Sequence, residues 1–511
     1  MNKKIRKKLN LVVKTLPLSI VVFAAFTLRV INLGYSDYQG DEIKAFLRPA
    51  ENQSAVDFLL NQRKGPGQFI ITSFTELFNT NYENEFLTRI PFALAGAFAV
   101  YFFYKLLRQH FGDKVAFFAS LFFATNGFLV ALSRIAQYQA FVILFMILAL
   151  YMFSNKKLYH GFIFWAFSML FHYDGLFIAP FALYLIFSNK PKIKIKDLIK
   201  PVLISGVILA VFYIPFIVNI SQKTLEYWGG RVTGDVSSKI SSSKYLFTVY
   251  QPIYVVHFYT ILAFVGFGAF IMSKFVHKFP KIADFSVEKK TWVKFVYIFL
   301  WFFIPFVFLE GLIYIPGTHI YTYLIPLFVF LGLALEFGWL VLKRFKDFFI
   351  PEVIYGFSLI IMFSFIYLQS YAIFVDNKKE YPWESEEFLV WEFHQPTPIY
   401  HLSMFGFPYY RNWEGIGEAV MTGDHNGYYS TNERKSIARY YVPLEKSTDD
   451  AGHYIHILNS QSFTDKIQQE KAAYWAQRYN PIYTYSRNGQ DLVRVYKMEP
   501  GTIYEIQDRG Y

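Results

Sequence analysis

Asp41 and Glu42 stand side by side just after an apolar run long enough to cross a bilayer. Further ionisable residues sit at the ends of later apolar runs: Lys64, Arg89, Arg134, His172, Asp174, Glu310 and His319. A carboxylate takes a proton from an attacking hydroxyl, while Arg, Lys and His side chains hold a phosphate leaving group. Carboxylates facing cations across a membrane-edge cavity therefore suit a negatively charged substrate with a hydroxyl reacting beside it. A single such residue at a span end is ordinarily an interface residue. What matters here is how many gather on one face. A transporter uses the same residue types as a proton relay or ion pathway, but transporter charges lie near the bilayer midplane. The middles of these spans are almost free of charge.

Holding such groups in place falls to a membrane-spanning frame. The chain has 511 residues, 54% hydrophobic and only 17% charged, with 59 Phe and 39 Tyr. Spans of about 17–25 apolar residues predict about eleven transmembrane helices. Their centres lie near Val21, Phe98, Phe122, Phe145, Trp165, Ala182, Leu209, Phe264, Phe302, Val329 and Ile361. The basic start followed by the first apolar run reads as a retained span, because no small-residue cleavage signal follows it. Arg29, at the end of that span, is expected to snorkel to the headgroups.

The connections alternate in charge. MNKKIRKKLN, YKLLRQHFGDK, SNKKLYH, SNKPKIKIKDLIK, SKFVHKFPKIADFSVEKK and KRFKDFF are rich in Lys and Arg, and the positive-inside rule makes their side cytoplasmic. The other side receives the Asp41–Glu42 loop, the turn at Ser133–Arg134, the HYDG turn at His172, a long loop from Asn219 to Gln251, and EGLIYIPGTH. An odd number of spans puts the C-terminus outside. Topology thus accounts for the net charge of +12, and no nucleic-acid partner is implied. The absence of Cys excludes disulfides and thiolate metal sites.

From about Ala372 the aromatic runs give way to a mixed polar and apolar pattern. The chain therefore divides into a membrane domain, residues 1–371, and a small extracytoplasmic α/β domain, residues 372–511. In the latter, PIYHLSMF, ARYYVPL and HYIHILN read as short strands. SFTDKIQQEKAAYWAQRY reads as an amphipathic helix with Ser462 or Thr464 near its N-cap. IYTYSRNGQDLVRVYKM reads as a hairpin turning at Asn488-Gly489.

With the segments placed, LRVINLGYSDYQGDEIKAFL resembles the start of the GT-C-fold glycosyltransferases that use polyprenyl-phosphate sugars, a superfamily including protein O-mannosyltransferases and the aminoarabinose transferase of lipid A. That family pairs an Arg near the end of the first helix, here Arg29, with an Asp-Glu in the first outer loop, here Asp41 and Glu42. QRKGPGQFI is similar to the family's Lys/His-Pro-Pro segment, with Lys64 at the basic position and Pro66 keeping one proline, while Gly65 replaces the other. LTRIPFALAGAFAVYFFYKLLRQHFG resembles the second helix with its Arg-x-Pro start at Arg89 and Pro91. SRIAQYQAFVILFMILAL resembles the Ser-Arg outer turn. GTHIYTYLIPLFVF resembles the His/Arg-x-x-x-Tyr-Leu-x-Pro segment, with His319, Tyr323 and Pro326 in place. The resemblance covers about residues 1–370.

It implies a membrane glycosyltransferase acting at the outer face of the cytoplasmic membrane. The donor would be a hexose or aminosugar on a polyprenyl phosphate, and the acceptor a hydroxyl on a protein, lipid or envelope glycan. Asp41 would be the general base for an inverting in-line attack, and Glu42 would orient the acceptor or tune Asp41. Lys64, Arg134 and His319 would neutralise the lipid phosphate, with Arg89 a fourth cation and Tyr323 a hydrogen-bond donor nearby. The alternative is a polytopic transporter or flippase of lipid-linked sugars. No cofactor is expected. Some family members carry another acidic residue in the Ser-Arg turn, where this chain has Gln137 and Tyr138, and Asp41 with Glu42 alone gives too few oxygen ligands for a rigid metal site.

Overall fold

The structure, a computed structural model, describes residues 3–188, 193–233, 262–268, 289–313, 317–343, 350–378, 385–388, 391–394, 407–447, 450–458 and 478–499, with the single residues Ile271 and Glu380. The helices of the first part are α1 (Lys3–Val30), α2 (Gly40–Ile43), α3 (Ala55–Leu60), α4 (Gly67–Glu76), α5 (Glu85–Thr125), α6 (Gly127–Ser133), α7 (Gln139–Ser154), α8 (Leu158–Phe171), α9 (Ala179–Ser188), α10 (Ile195–Val218), α11 (Gln222–Thr233), α12 (Lys289–Val307), α13 (Tyr321–Leu342) and α14 (Ile350–Phe374).

Among the described residues five helical stretches are long and apolar enough to cross a membrane: Glu85–Thr125, Ile195–Val218, Val293–Leu312, Gly317–Leu342 and Glu352–Phe374. Thr15–Val30, Gln139–Ser154, Leu158–Phe171 and Tyr173–Ser188 are shorter apolar helices beside them. Every expected span centre but Phe264 falls in one of these helices, and near Phe264 only residues 262–268 are described, as helix. The 41-residue α5 holds two expected spans, broken at Gly112, whose φ of 85° interrupts the helix where the basic connection was expected. Asn84 caps its start by accepting the Leu87 N–H at 3.0 Å.

Among the described residues the largest core cluster joins α1, α5, α7 and α13 through residues such as Leu28, Phe103, Ile147 and Phe328. By contrast, α10 keeps Val207, Val211, Ile214 and Ile217 exposed. An apolar helix face with no partner among the described residues is what contact with lipid demands. The chain is therefore a polytopic helical membrane protein.

The remainder forms α15 (Trp413–Met421), α16 (Lys435–Tyr441), a small β1–β2 pair (Ser385–Phe388, Trp391–His394), and a five-stranded mixed sheet. Its strands are β3 (Tyr428–Thr431), β4 (Glu445–Lys446), β5 (His453–Ile457), β6 (Tyr483–Arg487) and β7 (Gln490–Lys497), in the order β4-β3-β5-β7-β6. β3 runs parallel to β4 and β5, while β7 is antiparallel to β5 and β6. The expected β6–β7 hairpin is present, with φ of 50° at Asn488 and 77° at Gly489, and HYIHILN supplies β5.

ARYYVPL is not a strand. Ala438–Tyr441 ends α16, whose helical spacing brings Ile437 and Tyr441 to one core, so tertiary packing overrides the β-propensity of the Tyr pair. PIYHLSMF, and all but the last two residues of SFTDKIQQEKAAYWAQRY, lie outside the described residues.

This sheet-bearing part grips the loop between α1 and α2. The Asp37 carboxylate accepts the backbone N–H of Arg411 at 2.6 Å and of Trp413 at 3.3 Å. Ser36 Oγ accepts from Tyr409 N at 2.9 Å, and Tyr441 OH accepts from Tyr38 N at 2.8 Å. Burial pushes the Asp37 carboxyl up to about 6, against the pull of those hydrogen bonds and of the Arg411 and Arg89 charges.

Candidate active site

Neighbouring residues on a helix point about 100° apart, and the short α2 uses that divergence to separate its carboxylates. Glu42 turns inward and is fully buried. It accepts Arg89 Nε and Nη2, each at 2.8 Å, Ala136 N at 2.9 Å and Gln39 N at 3.0 Å. Arg89 also donates to the carbonyls of Leu33 (3.1 Å), Ser36 (2.8 Å) and Asp37 (3.0 Å). One buried pair thus ties together the first loop, the start of α5 and the Ser-Arg turn. Neither residue lines the cavity described next.

Asp41 turns outward. Its side chain keeps 34% of its surface exposed, pairs with Lys44 at 3.1 Å and lines a cavity of about 290 Å³. Burial raises its pKa, but the Lys64 and Lys44 charges outweigh that and hold it below the usual carboxylate range, so the carboxylate is the resting form. Lys64 enters from the next loop. The structure explains the glycine that departs from the family's Pro-Pro: a Cβ at Gly65 would run into the Leu170 carbonyl, and one at Gly67 into the Phe171 ring. A proline at 65 would lift the loop off α8 and take Lys64 with it. The Lys64 ammonium lies 4.6 Å from the centroid of the Tyr138 ring. Burial lowers its pKa to about 8, partly opposed by Asp41.

His172, Thr318 and His319 also line the cavity, as do Arg231 and Trp228 of α11. Asp174 lies behind the two histidines. His172 Nδ1 is 3.0 Å from Asp174 Oδ1, and His319 Nδ1 is 2.6 Å from Asp174 Oδ2. Tyr321 donates its hydroxyl to the same Oδ2 at 2.6 Å. Three buried amides line the cavity with one atom each unpaired: Gln68 Oε1, Gln137 Nε2 and Gln139 Oε1.

The structure thus brings Asp41, Lys64 and His319 into one cavity and leaves other expected residues outside it. Arg134 donates to the carbonyls of Leu28 (3.0 Å), Ile31 (2.8 Å) and Asn32 (3.2 Å), where its charge complements the C-terminal end of α1. Tyr323 donates to Glu310 Oε1 at 2.6 Å, and neither lines the cavity. Arg29 does not snorkel. It is fully buried, giving hydrogen bonds to Ala25 O, Ala124 O and Ser133 Oγ, because the last carbonyls of α5 need donors. Arg231, Trp228, Gln68 and Gln139 escaped the sequence reading, and Gln137 entered it only as a departure from the family's acidic turn. EYWGGRV, a cation and aromatics together in an outer loop, was the available signal for the first two.

A helical membrane frame with a polar cavity, faced by a carboxylate and cations from separate loops, defines the class: a polytopic membrane protein with a charged cavity beside its apolar helices. Residues 66–218 match the family model for dolichyl-phosphate-mannose-protein mannosyltransferase. The apo oligosaccharyltransferase of Archaeoglobus fulgidus has a similar fold, with a TM-score of 0.51 at 11% identity, covering 93% of this chain and 74% of that one. ArnT from Cupriavidus metallidurans bound to undecaprenyl phosphate gives a TM-score of 0.46 at 12% identity, covering 95% and 97%. No curated protein matches in sequence. The family-model match over residues 66–218 bears out the resemblance to GT-C-fold polyprenyl-phosphate-sugar glycosyltransferases read from the sequence, and the archaeal structure shows a similar fold.

Proposed function

We propose that the chain is a membrane glycosyltransferase that moves a sugar from a polyprenyl phosphate to an acceptor hydroxyl at the outer face of the cytoplasmic membrane. The observation that carries this reading is the meeting of Asp41 and Lys64 in one cavity beside an apolar frame. Asp41, ionised and part-exposed, accepts the acceptor's proton as that oxygen attacks the anomeric carbon, with inversion. Lys64 and Arg231 hold the phosphate as it departs with the lipid. The unpaired amides of Gln68, Gln137 and Gln139 suit sugar hydroxyls, which offer both donors and acceptors. Glu42 and Arg89 are positioning residues, and Arg134 supports the end of α1.

The test compares lipid carriers and envelope glycans by mass spectrometry in cells with and without the protein. Loss should cause one polyprenyl-phosphate sugar to accumulate. Restoration should follow wild type and not Asp41→Asn, whose turnover falls by roughly 10²–10⁴-fold, the share of general-base catalysis, with donor binding kept. Unchanged carriers, or full restoration by Asp41→Asn, would sink the proposal.

A further inference from the structure

We infer that His172, Asp174 and His319 form a divalent-metal site in the wall of the cavity. In the sequence His172 and Asp174 share one turn between spans and His319 stands in another connection, and the fold brings the three together. The argued atoms are one nitrogen from each histidine and a carboxylate oxygen, all within 4.8 Å of one another. Tetrahedral zinc, with bonds of about 2.0–2.1 Å, holds its ligands about 3.4 Å apart, so closing the set takes side-chain shifts of about 1 Å.

The three groups converge on one point of the wall: Asp174 presents Oδ1 3.0 Å from His172 Nδ1 and Oδ2 2.6 Å from His319 Nδ1. The support expected of a metal centre is also present. Tyr321, fully buried, donates to Asp174 Oδ2, as outer-shell groups do for ligating carboxylates. Tyr138 stacks on His172 with centroids 4.7 Å apart and fixes its plane. Two imidazoles and one carboxylate leave coordination positions open, and both histidines line the cavity. If the glycosyltransferase reading holds, on which this last step rests, an open position takes a phosphate oxygen of the donor beside Lys64.

The experiment uses the full chain in nanodiscs, stripped by a chelator and titrated with Zn²⁺ or Co²⁺ alone. Metal content is read by mass spectrometry and the coordination by the Co²⁺ absorption spectrum. About one ion per chain should bind. Tyr321→Phe, which keeps every ligand, should weaken binding roughly 10–100-fold; His319→Ala and Asp174→Asn should weaken it further, while Asp41→Asn leaves it unchanged. No binding by wild type, or equal binding by His319→Ala, Asp174→Asn and wild type, overturns the site and leaves a hydrogen-bonded His–Asp–His cluster. Because no sugar is present, these results stand apart from the fate of the proposed reaction. Undecaprenyl phosphate added to the Co²⁺ form should shift the spectrum; an unmoved spectrum overturns the phosphate-facing part.

Discussion

Replacing Glu42 with Gln separates a positioning carboxylate from one that touches substrate. Each carboxylate oxygen accepts two hydrogen bonds, one from Arg89 and one from a backbone N–H of Ala136 or Gln39. An amide keeps one oxygen and turns an NH₂ toward the other two donors. Either orientation loses two hydrogen bonds made to the charged carboxylate, one from the guanidinium and one from a backbone N–H, each worth about 1.5–3 kcal/mol. It also leaves the buried Arg89 charge without its counter-ion, and breaking such a pair from one side costs about 3–5 kcal/mol. The purified variant should therefore show a clear fall in thermal unfolding temperature in detergent, with turnover lost in step as the α1–α2 loop loosens. Adding Arg89→Gln should cost much less than a second independent loss, since the two side chains share one interaction. A Glu42→Gln protein of wild-type thermal stability but low turnover would refute this reasoning and return Glu42 to the acceptor.

Lys64 gives a pH test. Its pKa is lowered to about 8, so the ammonium is present below that pH and lost above it. kcat/KM for the donor should fall as pH rises through about 8, and Lys64→Arg, whose guanidinium does not titrate there, should remove the fall; an identical profile in both proteins would exclude Lys64 from the phosphate site. Arg134→Ala should lower thermal stability with little change in donor KM, measured on the surviving folded fraction, whereas a selective rise in KM would restore its phosphate role. A reporter fused after Tyr511 should be active only if it folds outside, and one within SNKPKIKIKDLIK only if it folds inside; cytoplasmic activity of the C-terminal fusion would overturn the orientation.

What the sequence made legible follows from the physics of each signal. Spans announce themselves by length and hydropathy, because a bilayer imposes one thickness on every crossing. The Asn488-Gly489 turn was readable because it needs positive φ at both residues. Charge alternation put Asp41, Lys64 and His319 on one face, together with Glu42, Arg89, Arg134, His172, Asp174 and Glu310. Which cation faces the cavity could not be read. Lys64, Arg89 and Arg134 look alike in sequence, yet two of the three spend their donors on loop carbonyls that only folding brings near. Gly65 looked like a broken motif, and its reason, the Leu170 carbonyl, lies more than a hundred residues away. The Tyr440–Tyr441 pair read as strand because its helix is fixed by the first loop it packs against, a contact with no local trace.

The adjacency of Asp41 and Glu42 has its physical sense in that loop. A general base on a free loop would lose orientational freedom each time it reacted, a cost the fold removes by holding the geometry beforehand. A short helical turn does this with two residues: bonds to the inward carboxylate fix the direction of the outward one. Glu42 alone secures only the side facing α5 and Ala136. The other side is secured by Asp37, Ser36 and Tyr38, bound to Arg411, Tyr409 and Tyr441 of the sheet-bearing part. At Gly40, a Cβ would come within 2.9 Å of Ser436 Oγ, so this contact is closely packed. The C-terminal part therefore holds in place the loop that carries Asp41.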